Sequence, residues 1–423
     1  MLGIVKSKGI RKIIIVDDLL TISEACDILK VHPNTLRNWD NQGVLKAKKI
    51  GTKGVRRYSK DDLSKFINTS PTTYRPRVLD LFSGCGGLSH GLAKAGFDIV
   101  AGVDNWSDAL VTFERNHPGA KSALVDLGQF NPDDIESIAG SDIDVVVGGP
   151  PCQGFSISGK RNPEDPRNKL YIGFVEVVAH YKPKAFILEN VPNLISMAGG
   201  KVKDEIIKEF SALGYNVQYK ILLASDYGVP QNRKRVVFVG VRNGLDFIYP
   251  AATFIDNKRT TSDAISDLTE DSLSEGATNK NAALTEYQKI MRKNTDRVFN
   301  HEVSQHSEQT VSTIALVPDG GNYKDLPDNL KNIRKRNIAW TRFGSFKPSN
   351  TIDTGHRHHF HYKFNRIPTV RESARLQSFP DDFIFYGSKT SQYKQVGNAV
   401  PPILAEAIGL ELKKTLDSAE EKS

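Results

Sequence analysis

The sequence predicts an α/β protein whose main body is a doubly wound, largely parallel sheet. Three observations support this fold class. Between residues 77 and 245, short apolar segments alternate with helical segments, and the apolar segments end in glycine-rich or polar loops. Between about Gly240 and Pro368 this alternation is lost and basic clusters appear. The first 75 residues carry the signals of a separate small helical module.

Composition limits the class of protein. With 423 residues and a hydrophobic fraction of 39%, the chain can form two or three packed domains. It lacks the run of about 18 apolar residues that a membrane span needs, and its N-terminus is too charged for a secretory signal, so we expect a cytoplasmic protein. Cys26, Cys85 and Cys152 are far apart and none belongs to a CxxC pair. A disulfide framework and a thiolate zinc site are therefore not expected.

The positive charge is concentrated at the N-terminus. Residues 1–75 contain 15 Lys and Arg against 7 Asp and Glu, whereas the rest of the chain contains 42 of each. A basic excess confined to one end indicates a polyanion-binding module on a neutral body.

The N-terminal module carries the signals of two short helices. Thr21 and Glu24 form a capping box that opens a helix through about Lys30. Pro33 is suited to the first turn of a second helix, which ends near Gly43. Leu36 and Trp39 share one face of that helix, which is expected to pack inward. The opposite face is polar and partly cationic, and its residues are Asn34, Arg37, Asn38 and Asn41.

A basic hairpin follows these helices. The segment "AKKIGTKGVRRYSKDDLSKFI" predicts two strands that turn at Gly51 to Gly54, then a helix capped by Ser59 with Asp62. The whole of residues 19–68 resembles the winged helix-turn-helix domain of the MerR and excisionase families, and a small interaction domain is the alternative. The resemblance implies DNA contacts from Asn34, Thr35, Arg37, Asn38, Arg56 and Arg57.

The main body begins with a nucleotide-binding pattern. Val78 to Phe82 is predicted as a strand, "SGCGG" as a tight loop, Leu88 to Ala95 as a helix, and Ile99 to Val103 as a strand that ends at Asp104. Glycines allow a ligand close to the backbone, and the acid can bind a ribose. Any adenosine-containing cofactor fits this pattern, so a nicotinamide-dependent dehydrogenase stays open at this point.

A cysteine follows the next predicted strand. In "DVVVGGPPCQGFSISG", Asp144 to Gly159, two prolines stop the strand because they lack N–H groups and fix φ. Glycines on both sides predict a loop. The segment therefore holds the sulfur of Cys152 at the carboxyl end of a strand, where it can act as a nucleophile.

Six blocks in order define a family resemblance. To "DLFSGCGG" and "GGPPCQGFS" the chain adds "FILENVPNL", "YGVPQNRKRVVFVG", "RESARLQSFPDDF" and "QVGNAVPP". This set, over residues 77–245 and about 369–412, resembles the DNA cytosine-5 methyltransferases. The resemblance implies an S-adenosylmethionine-dependent methyltransferase fold over residues 76–245, completed by 369–415. It further implies a target-recognition domain over 246–368 and an appended winged helix-turn-helix over 1–70.

The resemblance also implies the catalytic groups. Addition of the Cys152 thiolate to carbon 6 of cytosine makes carbon 5 nucleophilic. Glu189, which ends the predicted strand "FILEN", would supply a proton at nitrogen 3, and Arg235 would bind the 2-oxo group. Gln231, Arg233 and Arg235 are predicted on one face of a strand, where Arg233 would hold a loop or a phosphate.

The cofactor implied by the resemblance is S-adenosylmethionine. Asp104, where the family commonly has glutamate, would bind the ribose; Asn105 would flank the adenine, and Asp126 would bind its amino group. The implied cofactor-binding residues are Phe82, Ser83, Gly84, Gly86, Gly87, Leu88, Asp104, Asn105, Asp126, Pro150, Leu170, Asn398 and Val400.

The target base of a duplex must leave the stack before its ring can react. The basic segment "SISGKRNPEDPRNK" suits a loop that closes over the extruded base. Gln153, Ser156 and Gln231 are expected to contact DNA. The cluster His356, His358, His359 and His361 lacks accompanying acids or cysteines in sequence, so no metal is expected and a DNA-facing segment is favoured.

The predicted function is therefore methylation of carbon 5 of cytosine in a specific duplex sequence, in a restriction-modification system. The expected partners are duplex DNA, a cognate restriction endonuclease without a stable complex, and a second copy bound through the N-terminal module, which would bind the enzyme's own promoter. Two alternatives remain: a transcriptional regulator with an inactive methyltransferase body, and an RNA cytosine methyltransferase.

Overall fold

The computed structural model describes residues 2–7, 10–15, 19–29, 33–42, 45–50, 54–60, 62–63, 74–151, 166–242, 244–331, 340–355 and 358–420. Two compact units divide the chain, residues 1–75 and residues 76–423. Among the described residues, no helix is long and apolar enough to cross a membrane.

Among the described residues of the first unit, two helices accompany a three-stranded antiparallel sheet in the order β3–β5–β4. The predicted capping box is confirmed, because Thr21 Oγ1 accepts from the Glu24 N–H and Glu24 Oε2 accepts from the Thr21 N–H. A hairpin that the sequence analysis did not predict, β1 and β2, precedes them. The elements are β1 Leu2–Ser7, β2 Ile10–Ile15, β3 Leu19–Thr21, α1 Ile22–Leu29, α2 Pro33–Gln42, β4 Lys48–Ile50 and β5 Val55–Ser59.

A seven-stranded sheet forms the centre of the second unit, in the order β11–β12–β10–β9–β6–β7–β8. Strands β6 to β10 are parallel, and β12 pairs antiparallel with β10 and with β11. This confirms the predicted doubly wound α/β fold. The elements are β6 Arg77–Leu81, α3 Gly87–Lys94, β7 Asp98–Asp104, α4 Ser107–Asn116, β8 Lys121–Leu124, α5 Pro132–Ala139, β9 Val145–Gly148, α6 Pro166–Tyr181, β10 Ala185–Asn190, the 3-10 segment Pro192–Gly200, α7 Lys201–Ala212, β11 Asn216–Leu223, the 3-10 segment Ala224–Tyr227 and β12 Lys234–Val241.

Alternate residues of the central strands enter two hydrophobic cores, one on each face of the sheet. Val145 and Val147 pack into one core, whereas Val146 packs into the other. A strand buried on both faces reads as a continuous apolar run, as "VVV" does here. The C-terminal helix completes the first core against α3, because a Cβ on Gly91 would lie 2.4 Å from Ala405 Cβ. Residues near the chain end thus belong to the catalytic body.

In the described part of residues 246–368 all elements are short, as the loss of alternation predicted. Ala264 to Val298 share a core with Val370 and its neighbours, whereas Ile314 to Ile367 form a smaller core of their own. The elements of this region are α8 Thr261–Ile265, β13 Ala277–Thr278, α9 Glu286–Met291, β14 Arg297–Val298, α10 Glu308–Ala315, the 3-10 segment Tyr323–Asp325, α11 Asp328–Lys331, β15 Thr341–Arg342 and β16 His359–Phe360. The chain then returns to the catalytic body with the helices α12 Val370–Leu376, α13 Lys389–Asn398 and α14 Pro402–Glu420.

Candidate active site

A cavity of about 590 Å³ opens where the parallel strands β6, β7, β9 and β10 end. This edge is where ligands bind in open α/β sheets. Most of the residues predicted for the site lie in its wall. They are Phe82, Ser83, Gly84, Gly87, Leu88, Asp104, Asn105, Pro150, Leu170, Glu189, Arg233, Arg235, Asn398 and Val400.

The loop after β6 needs unusual backbone conformations. Phe82, Gly84 and Gly86 all have positive φ, at 55°, 52° and 89°. A phenylalanine in this region is sterically costly, and such strain is typical of ligand-binding loops. Gly87 must be glycine, because a Cβ there would lie 2.5 Å from the carbonyl oxygen of Val400. Gly86 does not line the cavity, so its contribution is the turn that begins α3.

Asp104 ends β7 and faces the cavity. Its Oδ2 accepts from the Gly84 N–H at 2.8 Å, and its Oδ1 accepts from the Trp106 N–H at 3.0 Å. Burial raises the pKa of this carboxyl. A carboxylate has about four acceptor positions, so acceptor capacity remains for a ribose hydroxyl.

Two polar groups of the cavity wall were not predicted as functional. Asp80, in β6, is buried and accepts from Ser89 Oγ at 2.6 Å. Burial raises the pKa of Asp80 to about 7. Cys85 is also buried, and burial raises the pKa of its thiol to about 12, so it behaves as an inert core cysteine.

Glu189 and Arg235 form an ion pair at the centre of the site. Arg235 Nε lies 2.7 Å from Glu189 Oε1, and both side chains are largely buried. Glu189 is in β10 and Arg235 in the antiparallel neighbour β12. A Cβ on Gly149 would lie 3.0 Å from Glu189 Oε2, so the glycine leaves room for the carboxylate. An acid and a fixed cation are thus presented together to the cavity.

Asn190, expected beside Glu189 at the end of this strand but without an assigned role, holds the loop that leads to Cys152. Its Nδ2 donates to the Pro150 carbonyl at 2.7 Å, while its Oδ1 accepts from the Val191 N–H at 2.9 Å. Pro151 lines the cavity. Cys152, Gln153 and Ser156 lie outside the described residues, so their contacts stay predictions.

The interpretation of "QNRKR" needs correction. Strand β12 begins only at Lys234, so Gln231 and Arg233 precede it rather than share its face. Gln231 is fully buried and donates to Gln377 Oε1, so the predicted DNA contact is wrong. The alternation of Gln231, Arg233 and Arg235 in the sequence did not reveal that neighbouring segments bury the first two.

Arg233 is a buried cross-link. Its two terminal nitrogens donate to the carbonyls of Ile352 and Gly397, at 3.2 and 2.8 Å. Burial lowers the pKa of its guanidinium to about 9. Of the two predicted roles, the arrangement supports holding a segment, and the buried side chain does not reach a phosphate at the surface.

One aromatic and one cationic residue in the cavity wall, Trp106 and Lys394, were not predicted from the sequence. Trp106 follows the predicted pair Asp104 and Asn105, and the Lys394 ammonium lies 5.1 Å from the centre of its ring. The motif "VDNW" was the available signal.

Asp126, predicted to bind the adenine amino group, does not line the cavity. It is exposed and accepts from the Gly128 N–H, and only its neighbours Val125 and Leu127 line the cavity.

In the N-terminal unit, Arg56 and Arg57 lie on opposite faces of β5. Arg56 Nε lies 2.5 Å from Asp40 Oδ2, and this hydrogen bond lowers the pKa of Asp40. Arg56 therefore fastens the wing to α2, while its side chain stays 30% exposed, so its DNA contact remains a prediction. Arg57 lies opposite Lys48 in the register of the hairpin, and Arg37 is exposed. The backbone of Asn34, Thr35 and Asn38 is helical, as predicted, but their side chains are outside the described part of the chain.

The histidine cluster does not converge. His361 is buried, which lowers its pKa to about 4, whereas His358 pairs with Asp353 and His359 stacks on Phe343. His356 is outside the described residues. Among those described, the side chains close enough together to share a metal ion are Asp133, Glu136 and His180, which lie apart from the cavity.

Comparisons with known proteins agree with this arrangement. Residues 76–414 match the family model of the C-5 cytosine-specific DNA methylases, and residues 19–70 match a helix-turn-helix domain. The chain is 40% identical over 334 residues to the Type II methyltransferase M1.HphI of Haemophilus parahaemolyticus, covering 78% of this chain and 84% of the relative. It is 38% identical over 362 residues to M.DdeI of Desulfomicrobium norvegicum, covering 78% and 87%.

Solved structures give the same fold. A prophage-encoded DNA modification methyltransferase from E. coli superimposes with a TM-score of 0.66 at 28% identity, over 81% of this chain and 99% of that one. S. pombe Dnmt2, at 18% identity and a TM-score of 0.52 over 82% and 99%, shares the fold.

Proposed function

The chain belongs to the C-5 cytosine-specific DNA methylases and carries an N-terminal DNA-binding module, and from this premise we propose that it methylates cytosine in a defined duplex sequence with S-adenosylmethionine as the donor. The relatives named Type II methyltransferases support a role in a restriction-modification system. The observation that carries the proposal is the Glu189–Arg235 pair, beside a nucleotide-sized cavity and next to the strand end that leads to Cys152.

The residues of the cavity fit the proposed donor. Asp104 retains acceptor capacity for a ribose hydroxyl, and the close approach of Gly87 to Val400 leaves a flat backbone surface. Phe82, Trp106 and Leu170 provide apolar surface for an adenine. S-adenosylmethionine, when bound, supplies an electrophilic methyl group. Asp126, Asn105 and Asn398 are further proposed contacts of this group.

The protein's own groups prepare the cytosine. The Cys152 thiolate forms a bond to carbon 6, and the electron pair of the 5,6 double bond moves toward carbon 5. Glu189 donates a proton at nitrogen 3, and Arg235 donates a hydrogen bond to the 2-oxo group. After methylation, the carbon 5 proton passes to water, the bond between the Cys152 sulfur and carbon 6 breaks with its electron pair returning to the sulfur, and nitrogen 3 returns its proton to Glu189, which restores the aromatic ring.

A stacked cytosine cannot reach this cavity, because the cavity lies at the end of the sheet and its catalytic groups are largely buried. The target must therefore leave the duplex, at a cost of a few kcal/mol. We propose that residues 246–368 read the flanking bases and that the loop after Cys152 closes over the extruded base.

We further propose that residues 1–70 form a separable operator-binding module that acts as a dimer on the enzyme's own promoter. Support comes from the basic excess of this segment and from its division from residues 76–423 as a compact unit. A single wing and helix bury little DNA surface, so tight binding needs two copies.

Bisulfite sequencing tests the proposed function. DNA from a methylation-free host that expresses the full chain should show protected cytosines within one recurring sequence, and the Cys152→Ala variant should show none. Protection that is absent, or scattered without a common sequence, would contradict it.

A further inference from the structure

A lysine and a tryptophan meet at the mouth of the proposed cofactor cavity. Lys394 Nζ lies 5.1 Å from the centre of the Trp106 ring, within the range of a cation–π contact. Both residues line the cavity, although they are almost 290 positions apart in sequence. Lys394 is exposed, and among the described residues no carboxylate forms an ion pair with it.

The main chain at Trp106 is tied to the acid proposed to bind the ribose. The Trp106 backbone N–H donates to Asp104 Oδ1 at 3.0 Å, and Trp106 is the residue that precedes α4. Since Asp104 is the acid that ends β7, this bond places the main chain of Trp106 beside the proposed adenosyl site, and Trp106 lines the cavity. The bond does not select the rotamer of the side chain, because χ1 has three staggered positions.

The contact lies in a longer interface between α4 and the C-terminal segment. At the far end of α4, Asn116 Nδ2 donates to the Ile384 carbonyl and Asn116 Oδ1 accepts from the Ile384 N–H. In the middle, the Tyr386 N–H donates to Thr112 Oγ1. Lys394 and Trp106 form the end of this interface that borders the cavity.

We infer that Lys394 is a positioning residue that fixes the indole of Trp106 as a wall for the adenosyl group of the methyl donor; this inference rests on the proposed function. The charge of the ligand favours this role. The donor carries a positive sulfonium, so an ammonium close to the sulfur would repel it. Over the indole, the ammonium instead holds the ring in place, and the ring contacts the uncharged adenosyl half of the donor.

Binding of two ligands distinguishes this positioning role from a direct ion pair between Lys394 and the carboxylate of the donor. S-adenosylhomocysteine has an adenosyl group and an amino-acid carboxylate, whereas 5′-deoxy-5′-methylthioadenosine has the adenosyl group alone. In calorimetric titrations of the full chain, Lys394→Met should weaken both ligands by about two- to fivefold, and Lys394→Arg should bind both like the wild type. Tryptophan emission should report a more mobile Trp106 in Lys394→Met, with Trp39 and Trp340 replaced by Phe in both backgrounds.

Lys389→Met is the matched control, because Lys389 is on the same helix but pairs with Glu302 outside the cavity. It should leave both affinities unchanged. Loss of S-adenosylhomocysteine affinity alone in Lys394→Met would assign the lysine to the carboxylate and overturn the inference, as would unchanged affinity for both ligands. A wild-type chain that binds neither ligand would instead overturn the proposed cofactor.

Discussion

Arg235 Nε lies 2.7 Å from Glu189 Oε1, where two antiparallel strands bring a cation and an acid to the same edge of the sheet. Nitrogen 3 and the 2-oxo group of cytosine are neighbouring atoms on one edge of the ring. A side-by-side acid and guanidinium match that edge, so one pair can bind both atoms. We therefore propose that the pair binds the target pyrimidine along this edge.

Replacing Glu189 by Gln should remove proton donation at nitrogen 3 while preserving the shape of the side chain. We expect a loss of about 100- to 10,000-fold in the single-turnover rate of methyl transfer. S-adenosylhomocysteine affinity and thermal stability serve as controls and should stay near wild type. A loss of less than about tenfold would place the acid elsewhere.

Asp80 makes the stability of the ligand-free protein depend on pH. Burial raises its pKa to about 7 from the 3.8 of an exposed Asp, so between these values the folded state binds more protons than the unfolded state. Its stability contribution is fully present below pH 3.8 and is lost as the pH rises through 7. Asp80→Asn should therefore raise Tm relative to wild type at pH 8 and have little effect near pH 4. The same difference at both values would contradict this.

Arg375 has a structural role in the block "RESARLQSFPDDF". Its buried guanidinium lies between Asp381 and Asp267, at 2.6 and 2.8 Å. Arg375→Met would leave Asp267 with Arg292 alone, at 3.2 Å, and Asp381 with the more distant Arg371, at 3.9 Å. We therefore expect a loss of about 3 kcal/mol in the free energy of unfolding, the lower end of the range for a broken buried ion pair. Urea unfolding measures it. A loss below about 1 kcal/mol would show that water or another cation compensates.

Deletion of residues 1–70 should leave the methylated sequence unchanged, because residues 246–368 are proposed to read the target. The same deletion should abolish retardation of a promoter fragment in a gel shift. A truncated enzyme that methylates a different sequence, or none while it still binds S-adenosylhomocysteine, would assign the module to target recognition.

Within the module, two neighbouring arginines should differ. Arg57→Ala, combined with Arg37→Ala, should weaken promoter binding and flatten its dependence on salt, because phosphate contacts release counterions. Arg56→Ala should instead lower the thermal stability of the module, since Arg56 pairs with Asp40. Equal salt slopes for the double variant and the wild type would exclude the phosphate contacts.

Strands and loops of the catalytic body could be predicted because local signals agree with the tertiary structure. The predicted strand Val78–Phe82 is observed as Arg77–Leu81, and the helix Leu88–Ala95 as Gly87–Lys94. Apolar runs bounded by glycines determine these elements regardless of what packs on them. For the same reason, Asp104 and Glu189 were correctly expected at strand ends.

Burial imposed by distant segments could not be predicted. Gln231 is covered by Gln377 and Ile352, more than 100 positions away, so its periodicity gave no sign that it is buried. Arg56 forms an ion pair with Asp40, which is 16 positions earlier in the sequence. Asn190 and Lys394 acquire their roles only through contacts with Pro150 and Trp106. A single sequence carries no signal of such long-range pairs.

Covalent trapping tests the central claim, that the thiol of Cys152 attacks carbon 6 of a cytosine in duplex DNA. A duplex with 5-fluorocytosine at the methylated position should form a denaturation-resistant complex with the full chain and S-adenosylmethionine, because the fluorine cannot leave as a proton does. Mass spectrometry should locate the adduct at Cys152, and Cys152→Ala should bind the duplex without trapping. An adduct at another residue, or methylation that persists in Cys152→Ala, would contradict the account.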